Sequence, residues 1–105
     1  MSNVAVDRTF LMDFLVSLLE IPSPTGDTEA AIQFCADSLK GWPLALMKNQ
    51  KGVLSATWQG SACDRPRALT AHVDTLGAMV KEIKPNGRLK LTNLGGLNWS
   101  SVECE

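Results

Sequence analysis

The chain has 105 residues, 45% of them hydrophobic, and a formal net charge of -1 from 10 basic and 11 acidic side chains. That length suits one small domain or part of a larger one, and that hydrophobic content favours a folded chain over a disordered one. The near-neutral balance leaves no basic footprint for nucleic acid and no polybasic patch for a membrane surface, and no apolar run approaches the ~20 residues that cross a bilayer.

Residues 1–6 read as a loose lead-in without the charge and cleavage pattern of a secretory signal. Asp7 is placed to cap a helix running to about Glu20, in which Phe10, Leu11, Phe14, Leu15, Leu18 and Leu19 recur at helical spacing. So broad an apolar stripe reads as a core face. Ile21-Pro22-Ser23-Pro24-Thr25-Gly26 stops the helix, because two prolines and a glycine leave no regular run of hydrogen bonds. On the residues alone this stretch reads as a connector rather than a loop bordering a site. Asp27 or Thr28 starts a second helix with Glu29 in its first turn, where negative charge suits the dipole. Ala31, Ile32, Cys35 and Leu39 share one face, and Gly41 and Pro43 end the element.

A β section follows. Leu44 to Lys48 and Val53 to Gln59 are expected strands around the turn Asn49-Gln50-Lys51-Gly52. After a polar loop at 60–66, Arg67 to Asp74 is expected as a third strand, apolar enough in its middle to be central in a sheet. Ala78 to Ile83 and Arg88 to Thr92 form a hairpin around Lys84-Pro85-Asn86-Gly87, since Asn-Gly is a strong hairpin signal. Asn93 to Gly96 is an expected loop, and Leu97 to Glu105 carries no clear ending signal. Two helices before a run of strands predict an α/β layer protein, with the helices packed on a mixed sheet.

The chemistry gathers at Ala71-His72-Val73-Asp74-Thr75-Leu76-Gly77, which holds the sole histidine. On an extended backbone His72 and Asp74 point to the same side. A neutral imidazole is a common metal ligand, and a nearby carboxylate fixes its tautomer and raises its basicity. A catalytic zinc needs about three protein ligands and an open position. The further donors, Glu82, Glu103, Cys104 and Glu105, read as a solvated hairpin charge and a terminus. No Gly-x-Ser-x-Gly motif is present, and nothing brings Cys63 to His72 as a dyad. Cys35, Cys63 and Cys104 form no Cys-x-x-Cys pair, so neither a zinc ribbon nor a disulfide framework is indicated; a reducing, cytoplasmic setting is expected. Cys35 itself reads as packing.

These residues carry a resemblance. Ala71 to Ile83, then Asn86-Gly87, then Leu94-Gly95-Gly96, resembles the glutamyl and deblocking aminopeptidases, di-metal peptidases of the tetrahedral aminopeptidase type once also labelled endoglucanases. The Ser23-Pro24-Thr25-Gly26 bend and the Lys51-Gly52-Val53-Leu54 turn look like that family's opening. The aminoacylase and carboxypeptidase relatives also carry His-x-Asp, but the hairpin and Gly95-Gly96 follow the aminopeptidase pattern. The resemblance implies that His72 is the first metal ligand and that Asp74 belongs to the catalytic machinery by orienting it. It implies two divalent ions, zinc or cobalt, in a longer parent, with none held tightly by this chain, whose remaining ligands and catalytic glutamate would lie further along. It also implies a three-layer catalytic domain begun by residues 1–76, an inserted β domain begun by 77–105, a peptide substrate and a homo-oligomer. The chain is thus expected to be an inactive segment of a metallo-aminopeptidase, with no nucleic-acid or membrane partner. The alternative is a non-catalytic assembly or interaction module that keeps the fold.

Overall fold

The computed structural model describes residues 5–61 and 64–103. Helix α1 spans Arg8–Leu19, and the Asp7 carboxylate caps it by accepting from the Phe10 N–H at 3.0 Å. Helix α2 spans Glu29–Ser38 behind Thr28, whose side chain makes no capping bond. Glu29 instead pairs with Lys48 across the fold. The two helices meet through aromatic rings, with Phe14 and Phe34 centroids 5.2 Å apart in a tilted arrangement.

Strands β1 (Ala45–Lys48) and β2 (Leu54–Thr57) form an antiparallel hairpin with Ala45 opposite Thr57 and Lys48 opposite Leu54. Asn49 builds its turn: its side-chain oxygen accepts from the N–H groups of Lys51 and Val53 at 2.9 and 3.0 Å. Strands β3 (Gly77–Ile83) and β4 (Leu89–Leu94) form the second antiparallel hairpin, from Gly77 opposite Leu94 to Ile83 opposite Leu89. An irregularity between Val80 and Glu82 shifts the register there, and Gly87 turns the chain at φ +78°. A single 3-10 turn at Trp99–Ser101 follows, capped by Asn98.

The helices, the β1–β2 hairpin and the β3–β4 hairpin agree with the sequence reading, and the overall content is α/β. Three expectations change. Asn93 and Leu94 belong to β4 rather than to a loop. The tail forms a 3-10 turn that the sequence reading did not foresee. Most consequentially, the expected central strand at Arg67 to Asp74 is not a strand, and no mixed sheet forms among the described residues. A parallel strand needs partners along its edges and covering layers on its faces. Here the two hairpins each stay two-stranded, and only an isolated parallel bridge between Pro24 and Thr75 adjoins the segment. Leu69 accordingly lies fully exposed.

The same shortfall shows in the packing. Ala31 is the buried hydrophobic residue and Ser23 the buried polar one among those described. Phe10, Leu11, Leu15 and Leu19 of the expected core stripe are exposed, while Phe14 and Leu18 are half-buried. The radius of gyration is 18.8 Å, against roughly 13 Å for a close-packed chain of about 100 residues. Local interactions therefore hold α1 more than tertiary burial does. Replacing Asp7 with alanine should destabilise α1 by about 1 kcal/mol, read as a loss of helical signal by circular dichroism; an unchanged signal would show that packing, not the cap, sustains the helix.

Candidate functional site

The site is assembled by two segments distant in sequence. Ser23, 1% exposed, donates its hydroxyl to the Val73 carbonyl at 2.8 Å, and its own carbonyl accepts from the Thr75 N–H at 2.8 Å. These bonds straddle Asp74. Gly26, at φ +96°, completes the bend in which the Asp27 N–H donates to the Pro24 carbonyl at 2.8 Å. Gly77 lets the chain leave close to the bend, for a Cβ built there would lie 3.0 Å from Pro24 Cβ.

Within this frame a relay of polar contacts forms. The Thr25 hydroxyl donates to Asp74 Oδ2 at 2.9 Å, and Asp74 Oδ1 lies 2.8 Å from His72 Nδ1. A carboxylate there accepts a hydrogen bond from Nδ1–H, which leaves the lone pair of neutral His72 on Nε2. The imidazole is 83% exposed and the Asp74 side chain 38%. The Thr25 hydroxyl, and after it His72, hold the Asp74 carboxyl below its ordinary value of 3.8 by stabilising the charged form. The group borders a cleft of about 290 Å³ that is also lined by Lys51, Gly52 and Val53 of the β1–β2 turn.

Sequence reasoning placed His72 and Asp74 together, and they are in contact. It passed over Ser23 and Thr25: the stretch read as a connector is a loop that borders and ties the site. The available signal was a pair of hydroxyl side chains, Ser23 between two prolines and Thr25 just after them, where a mere spacer needs no donors. Gly95 also comes near, since a Cβ there would lie 3.2 Å from Thr25 Oγ1. Glu82 stands on the hairpin, 54% exposed and 4.0 Å from Lys90, as a solvated charge would. Cys35 is free and half-buried, with burial pushing its thiol pKa up, which suits packing rather than chemistry. Cys63, Cys104 and Glu105 lie outside the described residues.

The donor chemistry fits a divalent cation at His72: an imidazole whose far nitrogen is a lone-pair donor and whose near nitrogen is fixed by a carboxylate. No group of three or more His, Cys, Asp or Glu side chains able to hold a metal comes together among the described residues.

A family model described as M42 glutamyl aminopeptidase matches residues 52–105, from the β1–β2 turn through the His72–Asp74 segment and the second hairpin. The chain belongs to the M42 glutamyl aminopeptidase family. It is similar to the protein named "Putative aminopeptidase YhfE" of Bacillus subtilis (strain 168), with 50% identity over 94 residues, covering 90% of this chain and 27% of that protein. The M42 chain thus spans about a quarter of the length of this curated relative. The family is one of metallopeptidases, so divalent metal belongs to its chemistry.

Because the folded Asp74 carboxyl is lowered, its tie to Thr25 and His72 is held above the ordinary aspartate range and lost as pH falls through the folded midpoint. A carboxyl carbon NMR titration should place that midpoint below 3.8, and Thr25→Val should move it upward. A midpoint at or above the ordinary value in the unsubstituted chain would contradict the contact.

Proposed function

We propose that this M42 chain contributes the first metal ligand, His72 through Nε2, to a metal-dependent aminopeptidase that hydrolyses N-terminal residues from peptides. The observation supporting this most directly is the 2.8 Å contact between His72 Nδ1 and Asp74 Oδ1 beside an open cleft. Asp74 acts as a positioning residue: it holds the ring and keeps the proton on Nδ1, which leaves Nε2 as the donor. When bound, a pair of divalent ions, zinc or cobalt, supplies the Lewis acidity for peptide-bond hydrolysis in such an enzyme. The exposed ring can turn its lone pair outward without a desolvation cost, and the carboxylate limits the orientations it samples.

On this reading residues 1–76 begin the three-layer catalytic domain and 77–105 begin an inserted β domain. The change from the loop-tied segment to the free-standing β3–β4 hairpin at Gly77 supports that division. The described residues bring one imidazole and one carboxylate to the cleft, so the 105-residue chain should turn over no aminoacyl substrate. Metal should bind far more weakly than the ~10–16 kcal/mol of a complete structural zinc site. Calorimetry with zinc and cobalt checks this, with His72→Ala removing the residual heat. Tight stoichiometric binding, or turnover abolished by that substitution, would overturn the reading of the chain as inactive by itself.

No helix among the described residues is long and apolar enough to cross a membrane. Exposed Phe10, Leu15, Leu19 and Trp42 support homo-oligomer formation, and they also favour a second reading, an assembly module that keeps the peptidase-like fold without catalysis. Sedimentation should find dimers or larger species at micromolar concentration, with Leu15→Glu plus Leu19→Glu shifting them to monomer. A monomer before substitution would remove the support for self-assembly.

A further inference from the structure

We propose that Thr25 is a positioning residue of the metal-ligand site, acting through Asp74 to set which nitrogen of His72 presents its lone pair. The inference rests on the reading of His72 as a metal ligand. Asp74 has two carboxylate oxygens, and only Oδ1 meets the imidazole. Left with that contact alone, the carboxylate could rotate about its terminal torsion, which is broad for aspartate. The Thr25 hydroxyl closes that freedom by donating to Oδ2 at 2.9 Å. Its backbone is anchored two residues away, where Ser23 is buried and bonded on both sides of Asp74, to the Val73 carbonyl and from the Thr75 N–H. Pro24 stands against Gly77. The loop thus acts as a splint, with Thr25 as the part that reaches the carboxylate. A hydroxyl is required at that position and a methyl is not, so serine should serve and valine should fail.

The sole histidine makes the test unambiguous, since every imidazole signal belongs to His72. Long-range proton–nitrogen NMR of the full chain without metal, above the ordinary imidazole titration range, reports which ring nitrogen is protonated. The unsubstituted chain and Thr25→Ser should hold the proton on Nδ1. Thr25→Val should draw the two nitrogen signals together as the tautomers mix, with the circular dichroism and the β3–β4 signals unchanged. Retention of the Nδ1 proton in Thr25→Val would overturn the proposal, and so would a loss accompanied by collapse of the fold, which would make Thr25 a scaffold residue. Asp74→Ala separates the two layers. If it leaves the tautomer unmoved, the Asp74–His72 coupling itself fails. If it shifts the tautomer while Thr25→Val does not, only the role of Thr25 fails.

Discussion

The arrangement depends on one buried hydroxyl. Ser23 is nearly inaccessible to water, and a polar group in that position costs free energy unless it is bonded. Its hydroxyl finds the Val73 carbonyl and its carbonyl receives the Thr75 N–H. A residue in the first quarter of the chain is thereby pinned on both sides of Asp74, about fifty positions away. Because both partners are backbone groups, the tie constrains the path of the His72–Asp74 segment whatever its side chains. Burial of Ser23 leaves the neighbouring Thr25 at the surface and beside the carboxylate, so a structural bond at one residue sets up a functional contact two residues later.

The contacts at the site itself are worth more as geometry than as stability. His72 and Asp74 both reach solvent, where water and salt screen the attraction between a carboxylate and an imidazole. The contact's consequence is directional: it assigns the ring proton to Nδ1 and leaves Nε2 as the donor. In metal sites such outer partners orient the ligand and raise its basicity, and their removal weakens affinity even though they never touch the ion. The M42 family match spans this segment.

The apolar surface tells a complementary story. The α1 stripe has the spacing of a helix built to lie on something, and α2 covers only part of it through Phe14 and Phe34. The stretch at 67–74 has the composition of an interior strand and forms none. Both features describe elements designed for more neighbours than the described residues supply. That accords with a chain spanning 27% of its curated relative's length.

Local order was legible in the residues. Asp7 before an apolar helical repeat, Asn49 to Gly52 between short strands, and Asn86-Gly87 between alternating runs each specify their element through near neighbours in the chain. The pairing of His72 with Asp74 was legible for the same reason, since an extended backbone puts residues two apart on one side. The roles of Ser23 and Thr25 were not, because hydroxyls beside prolines hint at a bonded loop but do not name a partner some fifty residues on. Nor was the fate of the 67–74 stretch, whose apolar character states a preference for burial but cannot supply the neighbouring strands that burial requires. Sequence by itself determined the helices, the turns and the imidazole–carboxylate pair, all governed by short-range sterics and hydrogen bonding. Tertiary structure alone decided that the proline-flanked loop closes over Asp74 and that the would-be central strand stands unpaired, because both depend on which distant backbone groups meet.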